Sequence, residues 1–140
     1  MTGDYTFLLE EILRAGDRIL ARMEVALAQH GLSVPKYKLL TLLAEAEDSR
    51  LPLSVMAEKL SCARSNVTGL IDRLEAEGLV KRSSSHDDRR VTYAQITAAG
   101  QVRLAAAHPA YQAALTETLA GLSFAEREAL MLFLQKMGAA

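Results

Sequence analysis

Apolar side chains at 8, 9, 12, 19, 20, 23 and 27 recur at close to helical spacing. The pattern predicts a long amphipathic helix over residues 5–30. Asp4 is placed to cap its start, and Gly31 follows its end. Pro35 suits the first position of a second helix carrying Leu39, Leu40, Leu42 and Leu43, whose pattern fades by Glu45–Ser49. Ser54 is placed to cap a short helix reaching Leu60. A break at Ser61-Cys62-Ala63 precedes a helix over 64–77, with Val67, Leu70, Ile71 and Leu74 on one face. Gly78 is positioned to end that helix in a left-handed turn.

The period then changes. Leu79–Arg82 and Val91–Thr97 read as short strands flanking S-S-S-H-D-D-R-R, which makes that polar run the tip of a β-hairpin. Thr97 or a neighbour starts an alanine-rich helix near 98–120, which Pro109 is expected to kink or split. Ser123-Phe-Ala-Glu126 fits the capping box S-x-x-E and opens a last helix over 124–137. The expected fold is mainly α: a winged helix-turn-helix with a small β-hairpin wing, flanked by N- and C-terminal dimerisation helices. Residues 1–34 and 98–140 form the helical dimerisation region, and residues 35–97 the winged domain. The terminal helices carry more apolar surface than a monomer of this shape can bury, so a second copy is expected to cover them.

Composition adds little until it is read by position. A chain of 140 residues that is 50% hydrophobic and 24% charged is an ordinary single globular domain. Net charge is −1, but residues 50–103 hold nine Lys/Arg against six acids, while the rest holds seven against eleven. The middle of the chain is therefore the part suited to an anion. No run of 18 apolar residues exists, and acids among residues 1–20 do not fit a secretory signal. Cys62 stands alone and cannot close an internal disulfide. A cytoplasmic location is the expectation.

From Leu53 to Gly100 the chain resembles the MarR family of bacterial transcriptional regulators. The residues that carry the likeness are Leu-Ser-Val-Met-Ala-Glu-Lys-Leu (53–60), Ser65-Asn66-Val67-Thr68 and Ile71-Asp72-Arg73-Leu74-Glu75. They continue with Gly78-Leu79-Val80-Lys81-Arg82, Asp88-Arg89-Arg90 and Ile96-Thr97-Ala98-Ala99-Gly100. The resemblance implies a homodimer with interlocked terminal helices and two winged domains on pseudo-palindromic DNA, released by a small-molecule or redox signal. A small aromatic effector is the partner expected besides double-stranded DNA. Two departures stand out: Gly69 where the family often has arginine, and small residues at Thr92 and Ala94.

For a recognition helix, whose N-terminal end enters the major groove, Arg64, Ser65, Asn66, Thr68 and Gly69 lie in the right place. Arg64 suits guanine or phosphate, Asn66 suits adenine, and Ser65 and Thr68 suit phosphate or mixed contacts. The plainer alternative is a solvated face with Ser/Thr capping. Arg73, with Asp72 and Glu75–Glu77 near it, suits an ion pair as well as a phosphate. By resemblance Arg90 is the wing arginine, drawn to the negative potential of a narrow minor groove, and Asp88 positions the tip. Arg89, Lys81 and Arg82 are expected nearer phosphates.

His86 beside Asp87 and Asp88 suggests a metal, but a site needs three or four converging ligands, and His30 and His108 lie in other elements. Cys62 reads as a half-buried hydrophobe in the turn, with redox sensing as its alternative. No nucleotide-binding, zinc-protease or serine-hydrolase motif is present, and no cofactor or enzymatic activity is expected. The competing reading is a winged-helix protein-interaction module without DNA function.

Overall fold

The computed structural model describes residues 2–84, 87 and 90–138. Its elements are α1 (Thr2–Ala28), α2 (Val34–Glu45), β1 (Arg50–Pro52), α3 (Leu53–Lys59), α4 (Arg64–Ala76), β2 (Val80–Ser84), β3 (Thr92–Ile96), α5 (Ala98–Leu119) and α6 (Phe124–Gly138). The three strands form an antiparallel sheet in the order β1-β3-β2. This is the winged helix-turn-helix expected from the pattern, with long helices on either side.

The caps explain most of the boundaries. Gly31 and Gly78 both take positive φ and close α1 and α4. After α4 the Leu79 N–H donates to the Leu74 carbonyl at 2.9 Å and the Gly78 N–H to that of Glu75 at 2.9 Å. That pair satisfies carbonyls the helix leaves open. The Ser33 hydroxyl accepts from the Lys36 N–H at the start of α2. Thr97 caps α5, accepting from the Gly100 N–H at 3.0 Å. The Ser123/Glu126 box is reciprocal, at 2.9 and 3.1 Å. The Ser123 backbone N–H first, and its side chain second, hold the Glu126 carboxyl below its ordinary pKa.

Several expectations change. α1 starts at Thr2, so Asp4 lies inside its first turn, where its charge suits the helix dipole, rather than capping it. Ser54 does not cap α3: the helix runs directly out of β1, and Pro52 takes the N-cap place with no side-chain bond. β1 itself escapes the pattern, since three residues including a proline show no alternation. Pro109 does not split α5. Proline removes only its own N–H from the ladder. Buried Ala107 and the partly buried Leu104, Tyr111 and Leu115 hold α5 against the core on both sides of it.

One core serves the whole unit. Leu27 of α1, Leu39, Leu40 and Leu43 of α2, Met56 of α3 and Val67, Ile71 and Leu74 of α4 are sealed from solvent, with Leu79, Val80 and Ile96 beside them. Ala94, one of the small residues of β3, is also fully buried, between Leu51 and Arg82 in the strand register. A small side chain fits the middle strand there. By contrast, Tyr5, Phe7, Leu8, Leu9 and Leu13 of α1 are exposed, as are Phe124 and Leu130–Leu134 of α6, which has no buried residue.

The turn between α3 and α4 is closed by a serine. Ser61 takes φ 52°, where glycine is usual, and the Cys62 N–H donates to the Ala57 carbonyl at 3.1 Å. A left-handed non-glycine residue costs on the order of 1–3 kcal/mol, partly offset by glycine's greater freedom when unfolded. Ser61→Gly is therefore expected to stabilise the fold by about 0.5–1 kcal/mol, read as a higher urea midpoint at unchanged m.

Candidate nucleic-acid interface

The α4 helix presents two faces. Val67, Leu70, Ile71 and Leu74 are buried, while Arg64, Ser65 and Asn66 are exposed and Thr68 and Gly69 partly so. The N-cap is Ala63, with no side-chain bond, so Ser/Thr capping does not account for the polar start of this helix. The Asn66 and Val67 N–H groups return to the Ala63 carbonyl, and the two N–H groups before them precede the first helical bond. Among the described residues, the side chains of Arg64, Ser65 and Asn66 make no hydrogen bond within the chain. The Thr68 hydroxyl instead donates to the Arg64 carbonyl at 3.1 Å.

Gly69 has open space around it: an added Cβ would meet only the Arg73 guanidinium, at 4.0 Å. Packing within the chain does not require glycine here. Gly69→Ala is expected to raise stability by about 0.5–1 kcal/mol, checked by thermal unfolding.

Arg73 is exposed and, among the described residues, has no ion pair. The acids beside it are taken by another cation. The Arg82 guanidinium reaches Asp72 at 2.5 Å and Glu75 at 2.8 Å, with a longer contact to the Thr68 carbonyl at 3.4 Å. Its backbone N–H also donates to Glu75, at 3.1 Å. The bond to Asp72, and then that to Glu75, raise the Arg82 pKa against the opposing effect of burial. Arg82 thus faces α4 and is engaged by two acids, at a position the sequence expectation set nearer phosphates. Thr68, Asp72 and Glu75 share one stripe of the helix, but no local pattern aims Arg82 at it. Lys81 beside it is exposed.

The hairpin carries the remaining candidates. Arg90 is exposed at the tip end, ahead of a partly buried Val91. Asp88, Arg89, Ser85 and His86 lie outside the described residues, and so do the roles expected of them. The hairpin base is pinned to α5: the Thr97 N–H donates to the Leu79 carbonyl at 3.0 Å and its hydroxyl to that of Gly78 at 2.7 Å. Cys62 is exposed, not half-buried, because the left-handed Ser61 turns it away from the core. Among the described residues, no group of three or more His, Cys, Asp or Glu gathers as metal ligands.

A second feature lies where a ligand cleft is expected, between a terminal helix and the winged domain, although no local pattern names its lining residues. A cleft of about 810 Å³ opens between α2 and α5, lined by Tyr37, Lys38, Thr41, Leu42, Glu45, Leu60, Leu104, His108 and Tyr111 among others. Tyr37 stacks on Tyr111 with ring centroids 4.2 Å apart, and its hydroxyl shares a 2.9 Å hydrogen bond with His108 Nδ1. Burial, and Tyr111 after it, push the Tyr37 phenol above its ordinary pKa. No helix is long and apolar enough to cross a membrane, among the described residues.

Comparison with known proteins agrees with this geometry. The model of the MarR family matches residues 32–92. The transcriptional regulator MhqR of Bacillus subtilis is 34% identical over 138 residues, covering 99% of this chain and 94% of MhqR. The chain belongs to the MarR family. Its fold superposes with TM-score 0.91 on a MarR-family regulator of Streptomyces coelicolor solved with DNA, at 22% identity over 98% of this chain and 87% of the other. It also matches BpsR of Bordetella bronchiseptica, a protein whose DNA binding 6-hydroxynicotinic acid regulates. There the TM-score is 0.82, with 25% identity over 93% of this chain and 97% of BpsR. This MarR-family chain shares the winged helix-turn-helix of those structures, and its relatives are transcriptional regulators rather than enzymes.

Proposed function

We propose that this MarR-family regulator is a homodimeric repressor that binds pseudo-palindromic DNA. Arg64, Ser65, Asn66 and Thr68 enter the major groove from α4, and Arg73 meets phosphate. Arg90 enters the minor groove from the wing, with Arg89 near phosphate and Asp88 positioning the tip. The observation that carries this reading is the start of α4: an exposed polar surface, uncapped and unused by the chain itself, beside a hairpin whose tip bears arginines. N–H groups at a helix start favour phosphate, and side chains left without internal partners are available to base edges.

The dimer is supported by the exposed apolar faces of α1 and α6. Phe7 is 65% exposed and Phe124 71% exposed, with aliphatic neighbours on both helices. A soluble monomer rarely leaves apolar surface of that extent open. Two copies joined there carry two recognition helices, and their separation fixes the half-site spacing near one DNA turn, roughly 34–36 Å. A small aromatic effector is accommodated by the α2/α5 cleft, whose walls are mostly apolar and whose Tyr111 ring offers a stacking surface. An effector wedged there changes the angle between α5 and the winged domain, and so the distance between recognition helices.

A mobility-shift assay on the DNA flanking the protein's own gene tests this reading, with sedimentation to count subunits. A shifted band containing two copies, released by 6-hydroxynicotinic or benzoic acid, is the expected result. A monomer, or a band unmoved by planar aromatic acids, contradicts the corresponding part of the proposal.

A further inference from the structure

We infer that Asp72 and Glu75, two carboxylates on the DNA-facing helix, strengthen DNA binding, because through Arg82 they fix where the wing stands relative to α4. The inference rests on the reading of the wing as a DNA contact.

The geometry is a clamp. Arg82 lies in β2, the strand that leads to the tip, and stands opposite the buried Ala94 of β3. Its guanidinium spans Asp72 and Glu75, and the same Glu75 carboxylate accepts from its backbone N–H. One strand residue is thus held through main chain and side chain together. Its long contact to the Thr68 carbonyl extends the grip to the turn of α4 that carries the expected base contacts.

The hairpin does not need this clamp to form. Five register pairs join β2 to β3, β1 extends the sheet on the far side, and Thr97 bonds the base to Leu79 and Gly78. Those bonds leave open the swing of the hairpin about its base toward or away from α4. Among the described residues, the bonds of Arg82 span that gap near the start of the wing. Electrostatics alone gives the opposite expectation for the acids. Carboxylates beside a polyanion oppose binding, and removing them adds favourable charge. Arg82 is committed to them and is 27% exposed, so its charge is not presented freely to DNA. A positioning role and a purely electrostatic one therefore predict changes of opposite sign.

The test is fluorescence anisotropy on a labelled duplex from the flanking DNA, with the full-length dimer. Asp72→Ala/Glu75→Ala is expected to bind about tenfold more weakly despite its gain in positive charge. Added to Arg90→Ala, it is expected to cost little more, since a wing without its arginine gains nothing from being aimed. Glu75→Gln keeps the side-chain shape and is expected to lose about threefold, which carries the test if the double variant unfolds at assay temperature. Tighter or unchanged binding by the acid-free variants, or losses that multiply independently of Arg90→Ala, overturn the inference alone. Unchanged affinity of Arg90→Ala by itself overturns the wing reading and this inference with it.

Discussion

Gly100→Ala is expected to lose about 3 kcal/mol of stability, for the addition of one methyl group. A Cβ built at Gly100 would lie 2.2 Å from the Leu79 carbonyl oxygen and 2.7 Å from Ile96 Cγ1. The first of these is backbone, which cannot swing aside like the end of a flexible side chain. To admit the methyl group, α5 must lift away from the base of the hairpin. That movement strains the Thr97 N–H bond to the same Leu79 carbonyl and the Thr97 hydroxyl bond to Gly78. Both cross from the winged domain to α5. At this chain length such a loss lowers the thermal midpoint by about 6–12 °C. A midpoint within a degree of the parent would contradict the close approach. The glycine of the I-T-x-x-G run is thus a packing residue, not a turn residue.

Arg90→Ala is expected to weaken specific DNA binding by about 10- to 100-fold while dimerisation and the unfolding midpoint stay unchanged. Arg90 is exposed at the end of a hairpin, so the side chain contributes little to the core. An arginine in a narrow minor groove replaces hydration with strong local potential, and a dimer loses two such contacts at once. Competition against poly(dA-dT) and poly(dG-dC) duplexes separates groove reading from simple charge. A groove contact makes the loss larger on A·T-rich flanks, whereas a phosphate contact makes it uniform. Parent-like affinity would remove Arg90 from the interface.

The helices were legible because caps and apolar faces coincide. Gly78 after Leu74 and the Ser123/Glu126 box set boundaries that the structure keeps to within one or two residues. The turn at Ser61 and the start of α4 were legible without a cap, from the polar break before the apolar face of Val67, Leu70, Ile71 and Leu74. What escaped the sequence depends on approach between distant segments. β1 is too short to alternate, and its place in the sheet is set by β3. Pro109 signals a break locally, but contacts across α5 outweigh one missing N–H. Arg82 reads as one more cation in a basic run until the sheet turns it onto Asp72 and Glu75. Cys62 looks like a hydrophobe in a turn, yet one left-handed residue before it decides its exposure. The α2/α5 cleft joins residues some seventy positions apart, such as Tyr37 and His108, and no local pattern announces that pairing.

The measurement that bears most directly on the whole account is affinity for the flanking DNA as salt is raised. The same titration is run on a scrambled duplex of equal length. A DNA-binding dimer predicts that log K falls linearly with log salt at a slope of about −0.9 per phosphate neutralised. It also predicts that the flanking duplex is bound at least about a thousandfold more tightly than the scrambled one. Absence of salt-dependent binding to either duplex would contradict it and favour a winged helix that meets protein instead.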